Sequence, residues 1–273
     1  MAIAIAPPGI AAAKDLDPDP AASQTDLATL VSQAAPSGRK SPLVPAAAVA
    51  VAVFAQTPDR LAPLPRRWSA SAWFAARPGT GLGAAPGGGQ IGGSQAGVRI
   101  AWLLAPKARV SLFGRVVGPL SGKGREVAVG AEWQPTRAPV RLVVEQRFGL
   151  DGTKGGPGLG VIAGYDTAVA TGFRLESYGQ AGVIRRTRTE PYADGAARIT
   201  RQIVETGGMR LAIGAGVWGA AQRDAARLDI GPSATLALPI AGQNFRFALD
   251  WRQRVAGDAR PGSGPAFTVG VDF

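Results

Sequence analysis

From residue 67 to residue 273 the chain repeats one pattern. Segments of about ten residues alternate apolar side chains with small, polar or charged ones, and each segment ends at a turn. An alternation of period two places one face of a strand in an apolar medium and the other face in different surroundings. About ten residues is also the length that a tilted strand needs to cross a bilayer. The pattern therefore predicts an antiparallel transmembrane β-barrel of about twelve strands.

The boundaries of these strands follow from the turn signals between them. Short turns at 105–107 and 241–242 alternate with longer Gly-rich connections, including 78–93, 184–191 and 222–225. Bacterial barrels combine short periplasmic turns with longer outer loops, and an even strand number puts both barrel ends on the periplasmic side. The predicted strands lie at 67–77, 94–104, 108–117, 125–134, 140–149, 158–166, 170–182, 193–204, 209–220, 226–238, 244–255 and 264–273.

Residues 1–66 differ from this barrel region, 67–273. They are rich in Ala and Pro and show neither helical nor strand periodicity, which predicts an irregular linker or leader segment. The stretch 39–55 combines a basic pair, an apolar run and small residues, as a secretory signal does. An Ala-rich linker or an extra strand are the alternatives, and both stay open.

The missing residue types exclude most enzymatic chemistry. The chain contains 0 His and 0 Cys, so it has no disulfide, no thiol nucleophile and no imidazole base. Histidine is the usual general base and the commonest protein metal ligand. The run 214–219 matches GxGxxG, but no βαβ unit surrounds it. We therefore predict a protein that is not an enzyme and that has no catalytic, metal or cofactor site.

Charged residues share the strand face opposite to the apolar one, and the formal net charge is +11. We expect this face to line the lumen, where inward glycines such as Gly97, Gly160 and Gly216 leave room for long arginine side chains. One interpretation is a structural lattice of ion pairs that fills a narrow barrel; the other is a basic path for an anionic solute. The predicted lumen-lining residues are Arg99, Arg115, Arg141, Arg147, Arg174, Arg198, Arg210, Arg227, Arg246, Arg252, Glu126, Glu132, Glu145, Glu176, Asp229 and Asp250.

Aromatic residues recur where strands meet the predicted periplasmic end. On the apolar face they would form one interfacial belt, a position that Trp and Tyr favour in membrane proteins. The predicted belt consists of Trp68, Trp102, Trp133, Tyr165, Phe245 and Phe273.

A basic cluster, Arg185, Arg186 and Arg188, lies in a predicted outer loop. It has the chemistry to hold lipopolysaccharide phosphates or an acidic polysaccharide, and the alternative is a solvated loop tip. No nucleic-acid-binding motif accompanies the positive charge, so we expect no nucleic acid partner.

Several short runs suggest a family: 67–69 (RWS), 92–97 (GGSQAG), 214–220 (GAGVWGA), 250–252 (DWR) and the terminal Phe273. Together they resemble the carboxy-terminal barrel of alphaproteobacterial outer-membrane proteins. Such barrels are similar to those that follow periplasmic tetratricopeptide repeats in exopolysaccharide-secretion and bacteriophage-adsorption proteins. The resemblance implies an outer-membrane location and a role in exopolysaccharide export or surface adsorption.

The same resemblance bears on partners. The terminal strand resembles the signal read by the barrel-assembly machinery, and outer-membrane lipid is an expected partner. Two alternatives stay open: a barrel that only anchors or docks a periplasmic partner, and, more remotely, a lipid-modifying outer-membrane enzyme.

Overall fold

A computed structural model of the chain describes residues 67–78, 84–85, 89–90 and 93–273. The predicted linker or leader, 1–66, with its signal-like stretch, lies outside the described residues. Within the part that is described, no helix is long and apolar enough to cross a membrane.

The described residues form fourteen strands, numbered here in chain order. Their bounds are β1 Trp68–Ala76, β2 Ala84–Ala85, β3 Gly89–Gln90, β4 Gln95–Ala105, β5 Val110–Pro119, β6 Glu126–Trp133, β7 Val140–Gly149, β8 Gly156–Ala170, β9 Phe173–Arg185, β10 Thr189–Thr206, β11 Met209–Gln222, β12 Ala225–Ile240, β13 Gln243–Gly257 and β14 Gly264–Asp272. β2 and β3 pair with each other inside the connection from β1 to β4.

The remaining twelve strands close into one barrel in the order β1-β14-β13-β12-β11-β10-β9-β8-β7-β6-β5-β4. Neighbouring strands are antiparallel throughout, and β4 pairs back onto β1. The barrel closes where β1 meets β14, in a ladder that runs from Ser71 opposite Asp272 to Ala76 opposite Phe267. The predicted twelve-stranded antiparallel barrel is confirmed.

Both termini of the barrel and three of its two-residue turns, 171–172, 207–208 and 241–242, lie at one end. We name it the periplasmic end, after the arrangement in bacterial barrels, and the opposite end the outer end. At the outer end two predicted long loops are wrong. The β9–β10 and β11–β12 connections are only 186–188 and 223–224, because strand pairing continues into the polar residues expected to form the loops.

One side of the wall is taller than the other. Strands β8 to β13 contain 13 to 18 residues, whereas β1, β4 to β7 and β14 contain 8 to 11. The shorter strands match the length that crosses a bilayer. The taller strands therefore extend past the apolar layer on one side of the barrel.

The outer surface of the barrel is apolar and its interior is charged. Val98 and Ile100 on β4, and Val144 on β7, are exposed, whereas Arg147 and Asp250 are buried. More large apolar side chains are exposed than buried among the described residues. This distribution suits a barrel surrounded by lipid, since exposing a Val, Leu, Ile or Phe side chain to water costs about 1.5–3 kcal/mol. An even-numbered, closed antiparallel barrel with an apolar exterior is the architecture of bacterial outer-membrane proteins. The chain is an outer-membrane barrel.

The inward glycines make room for rings. A Cβ atom on Gly97 would lie 2.3 Å from the Trp73 ring, and one on Gly216 would lie 2.6 Å from the Trp218 ring. A Cβ atom on Gly160 would lie 2.9 Å from the Tyr192 hydroxyl. The expectation that these glycines leave space for arginines is wrong, because inward aromatic side chains occupy the space beside them.

The β12–β13 hairpin closes with an unusual residue at its turn. Ala241 and Gly242 have φ values of 51° and 78°. Positive φ at both central residues of a two-residue hairpin loop defines a type I′ turn, which favours Asn-Gly because only residues tolerant of the left-handed region adopt it readily. Ala241 therefore holds a conformation that disfavours alanine.

Candidate functional site: a charged lumen with two unequal halves

In the outer half of the lumen, Asp250 of β13 is a node of four polar side chains. It accepts hydrogen bonds from Arg198 Nη2 at 2.8 Å, Arg252 Nη2 at 3.0 Å and Ser233 Oγ at 2.7 Å. The two guanidinium groups also lie over the Trp218 ring, 5.4 Å and 4.6 Å from its centroid. Because Arg198 belongs to β10, which does not neighbour β13, this contact crosses part of the lumen.

A second cluster joins β5, β6 and β7. Arg147 Nε donates to Glu145 Oε1 at 2.6 Å, and Arg115 Nη2 donates to the same oxygen at 3.0 Å. Glu126 of β6 accepts a hydrogen bond from Arg186, which follows β9. Two strands, β7 and β8, lie between β6 and β9 in the wall, so this ion pair also crosses part of the interior.

The third outer cluster centres on Asp229 of β12. Arg227 donates to both of its carboxylate oxygens, from Nε at 2.9 Å and from Nη2 at 2.8 Å. Arg77, which follows β1, adds a hydrogen bond from Nη1 at 3.3 Å. Three buried charged side chains from two distant parts of the wall thus meet at the outer end.

Together these clusters fill the outer half of the lumen. The side chains of Arg252, Arg147 and Asp229 are 0%, 1% and 1% exposed, although all of them point inward. A water-filled channel would leave the side chains on its wall in contact with water. The outer half is therefore closed by its own ion pairs.

The periplasmic half differs because its arginines face water. Arg174 pairs with Asp166 at 2.5 Å, yet the Arg174 side chain is 49% exposed and the Asp166 side chain 14%. Arg141 pairs with Glu132 at 3.2 Å, and their side chains are 40% and 5% exposed. Each ion pair therefore shows its guanidinium to the water and hides its carboxylate against the wall.

Arg246 repeats this arrangement with Glu176, with side chains 39% and 20% exposed. Arg210 is exposed and takes part in none of the ion pairs formed between residues that the structure describes. We call the four residues that share this water-facing position the periplasmic vestibule: Arg141, Arg174, Arg210 and Arg246.

The predicted lumen-lining residues lie on one face of the sheet, with the charged contacts described above. Arg99, predicted with them, pairs with Glu132 at 2.7 Å and lies over the Phe113 ring at 5.0 Å. Phe113 belongs to a buried apolar cluster with Ala101 and Val143. Part of the lumen wall is therefore apolar, a feature not predicted from the alternating pattern.

The predicted aromatic belt lies on the outward face. Trp68 stacks on Trp102 with ring centroids 6.0 Å apart, in register across β1 and β4. Phe245 stacks on Phe247, which contacts Phe267 of β14, both at 6.4 Å. The other members of the predicted belt, Trp133, Tyr165 and Phe273, carry the same outward orientation by register.

The structure divides the predicted basic cluster. Arg185 and Arg188 are exposed, whereas Arg186 turns inward to Glu126.

Two further lumen residues, Arg77 and Asp166, were not predicted from the sequence. The period-two register would have found both, because each lies an odd number of positions from an outward aromatic residue of the same strand.

One loop carboxylate has a perturbed acidity. Asp151, between β7 and β8, accepts hydrogen bonds from the backbone N–H of Arg125 at 3.0 Å and of Gly124 at 2.6 Å. These bonds, the one from Arg125 first, hold the pKa of Asp151 below its ordinary value. The β5–β6 and β7–β8 loops are tied together at the outer end by this carboxylate.

No group of His, Cys, Asp or Glu that could hold a metal ion occurs within residues 67–78 and 93–273 or the short ribbon between them.

No protein-family model and no curated protein matches this sequence. Solved structures of similar fold include the following three. The β-domain of the Bordetella autotransporter BrkA has 14% identity and a TM-score of 0.40, over 76% of this chain and 97% of that one. The NanC porin has 10% identity and a TM-score of 0.36, over 76% and 98%. A bacterial polysaccharide outer membrane secretin has 11% identity and a TM-score of 0.37, over 75% and 96%. At these values the functions of the three proteins do not carry over to this chain.

Proposed function

We propose that the chain is a non-enzymatic outer-membrane barrel that binds an anionic polymer through its periplasmic vestibule, in exopolysaccharide export or in adsorption at the cell surface. A carboxylate-bearing polysaccharide fits this chemistry. A guanidinium group presents several N–H donors in a planar fork that matches a carboxylate. The absence of His and Cys from the sequence supports a role without catalysis.

The observation that carries the proposal is the unequal exposure within each vestibule ion pair. In Arg174–Asp166 and Arg141–Glu132 the cation is the more exposed member by more than 30 percentage points. A purely structural lattice has no reason to turn the same charge toward the water in each pair. The water in the periplasmic half therefore meets mostly positive charge, which attracts anions and concentrates them there.

The second candidate is a barrel that only anchors a periplasmic partner and passes nothing. The closed outer half favours it, since buried ion pairs such as Arg198–Asp250 block the lumen in this conformation. The two candidates differ in one measurable property. An anchor has no affinity for a soluble polyanion, whereas the proposed vestibule binds one.

Calorimetric titration of the detergent-solubilised barrel with an oligogalacturonate tests the proposal. We expect binding that weakens with added salt, because exposed charges are screened. An uncharged oligoglucan of equal length should not bind. The double variant Arg174→Gln, Arg246→Gln should weaken binding by about tenfold to a hundredfold, since each charge-assisted hydrogen bond contributes about 1.5–3 kcal/mol before the loss is shared with neighbouring arginines.

A matched control is Arg201→Gln. Arg201 is exposed at the same end of the barrel, but it lies over the outward Phe173 ring at 5.8 Å, outside the lumen. Its replacement removes a guanidinium outside the lumen, one charge where the double variant removes two, and should leave the affinity unchanged. If the wild-type protein does not bind the oligogalacturonate, or if both variants weaken binding equally, the vestibule proposal is wrong and the anchor remains.

Two surface partners are part of the proposal. Exposed Arg185 and Arg188 at the outer end suit lipopolysaccharide phosphates. The terminal strand β14, which ends in outward Phe273, suits recognition by the barrel-assembly machinery.

A further inference from the structure

The connection between β13 and β14, residues 258–263, turns into the outer mouth of the barrel. We call it the mouth strap. Its residue Ala259 is 1% exposed and packs against Ala220 of β11. The Ala259 N–H donates to the carbonyl of Ala226 at 3.1 Å. The strap is thus fixed to the barrel wall by a buried side chain and a backbone hydrogen bond.

Two lumen arginines hold the strap from inside. Arg227 Nη1 donates to the Pro261 carbonyl, and Arg77 Nη2 donates to the Gly262 carbonyl, both at 2.9 Å. Their side chains are 3% and 2% exposed. The same two guanidinium groups bind Asp229, which orients them toward the strap.

The charges in this cluster do not balance. Arg77 and Arg227 share one carboxylate, that of Asp229, in the ion pairs described for these residues. Beyond Asp229, the hydrogen bonds of these two guanidinium groups go to the neutral backbone carbonyls of the strap. An oxyanion adds an ion-pair attraction, and a bidentate geometry, that a neutral carbonyl does not offer to a guanidinium. An oxyanion that reached this place would therefore compete well with the strap.

The second outer cluster provides a comparison. There Arg186 contacts both Glu126 and Glu190, and Arg147 contacts both Glu126 and Glu145. Arg147 and Arg186 thus each have two carboxylates within ion-pair distance, whereas Arg115 pairs with Glu145. The strap site has two cations to one carboxylate, as has the Asp250 node with Arg198 and Arg252, but at the strap site the guanidinium groups also bind the backbone carbonyls of a connection.

We propose that Arg77 and Arg227 form an oxyanion-binding subsite at the outer mouth, and that the mouth strap, together with the ion pairs beside it, closes the lumen: it occupies this subsite until a carboxylate or phosphate group displaces its carbonyls. The inference deepens the proposed function and rests on it, since the displacing anion is the polymer that the vestibule admits. Opening then depends on the differential affinity of the oxyanion for the open state.

A disulfide that locks the strap tests this mechanism. The chain has 0 Cys, so Ala220→Cys with Ala259→Cys introduces one possible bond, between the strap and β11. The matched control is Ala221→Cys with Ala226→Cys. These residues are opposite each other on β11 and β12, so their disulfide leaves the strap free. Non-reducing gels after trypsin cleavage of the denatured protein verify that each bond has formed, because Arg223 lies between the two cysteines of each pair.

Conductance of single barrels in planar bilayers is the readout. The probes are an oligogalacturonate for carboxylate and tripolyphosphate for phosphate, each compared with an uncharged oligoglucan. We expect wild-type protein to be mostly closed, and the effective anionic probe to raise the open fraction by about tenfold or more. The oxidised strap variant should stay closed with every probe, and reduction should restore the wild-type response. The control variant should respond equally in both redox states.

The variant Arg77→Gln removes one of the two anchors of the strap. It should raise the open fraction without any anion and reduce the response to the probe. If the oxidised strap variant conducts like its reduced form, the strap is not the closing element and the proposal is wrong. It is also wrong if Arg77→Gln, the wild-type protein and the reduced strap variant all stay closed under all conditions.

Failure of the proposed function is seen separately, in calorimetry. Binding of the oligogalacturonate with no opening would leave the vestibule intact and refute the strap. Opening by tripolyphosphate alone, with no binding of the oligogalacturonate, would support the strap and point to a phosphate source.

Discussion

Replacing the buried node Asp250 by Asn should destabilise the barrel far more than an equal change in the vestibule. The substitution keeps the shape of the side chain and removes its charge. Arg198 and Arg252 then lose the carboxylate that they share, at 2.8 Å and 3.0 Å. Removing one member of a buried ion pair costs about 3–5 kcal/mol.

The contacts of Asp250 narrow this range of destabilisation. Asn keeps one oxygen that can accept a hydrogen bond from Arg198 or from Ser233 Oγ, and this favours a loss of stability near the lower end of the range. The Arg252 side chain is 0% exposed, however, so water cannot replace the lost charge there, whereas Arg198 at 14% is partly hydrated. We expect a loss of about 4 kcal/mol, which lowers the folded-to-unfolded ratio by roughly a thousandfold.

The assay is urea unfolding of the barrel in phospholipid vesicles, followed by tryptophan fluorescence and by heat-modifiable migration on gels. Trp218 lies against both arginines, so its emission should also shift in the folded variant. Asp166→Asn is the control. Its partner Arg174 is 49% exposed, and an exposed ion pair contributes about 0–1 kcal/mol.

Equal losses of stability in the two variants would refute the reasoning, because burial would then not decide the energy of these ion pairs. A third variant separates charge from packing. Adding Arg252→Gln to Asp250→Asn removes the most deeply buried cation and should recover part of the loss. No recovery would mean that the first substitution acts through packing alone.

Two further predictions concern the turn and the lipid-facing surface. Ala241→Asn should stabilise the barrel by about 0.5–1 kcal/mol in the same urea assay, because Asn tolerates positive φ in a type I′ turn and alanine does not; a destabilised variant would contradict the turn assignment. Val144→Lys on the exposed outward face of β7 should cost about 2–4 kcal/mol if that position lies near the bilayer midplane, and a neutral effect would mean that β7 does not face lipid there.

The faces of the strands could be predicted from the sequence because the pleat has a period of two whatever the tertiary context. One short strand, β6, shows this already. Its alternation predicts that Val127 and Val129 face lipid and that Glu126 and Glu132 face the lumen, and the structure shows the same two faces. Strand ends were harder to predict. The polar run around Arg188 reads as a loop, but its flanking residues pair across a three-residue connection because polar residues at the rim of a barrel can still continue a ladder.

The ion pairs themselves could not be predicted, because they join strands that are not neighbours. Arg198 meets Asp250 across three steps of the wall, and Arg186 meets Glu126 likewise. Which residues share a level inside the barrel depends on strand tilt and stagger, and a single sequence does not reveal either. The mouth strap was missed for a related reason. The strap is bound to the lumen arginines through the backbone carbonyls of Pro261 and Gly262. Every residue has a backbone carbonyl, so no residue type in the sequence marks these contacts.

The ladder between β1 and β14 differs from the other ladders in the sequence distance that it spans. Most neighbouring strands in the wall follow each other in the sequence and form hairpins. This ladder instead pairs the first and last strands of the barrel, with Ser71 opposite Asp272. Bringing such distant residues together carries the largest loop-closure entropy in the barrel. Hairpins can assemble locally and early, so closure of the cylinder is the last step of folding, and a misfolded intermediate would be an open sheet with two unsatisfied edges.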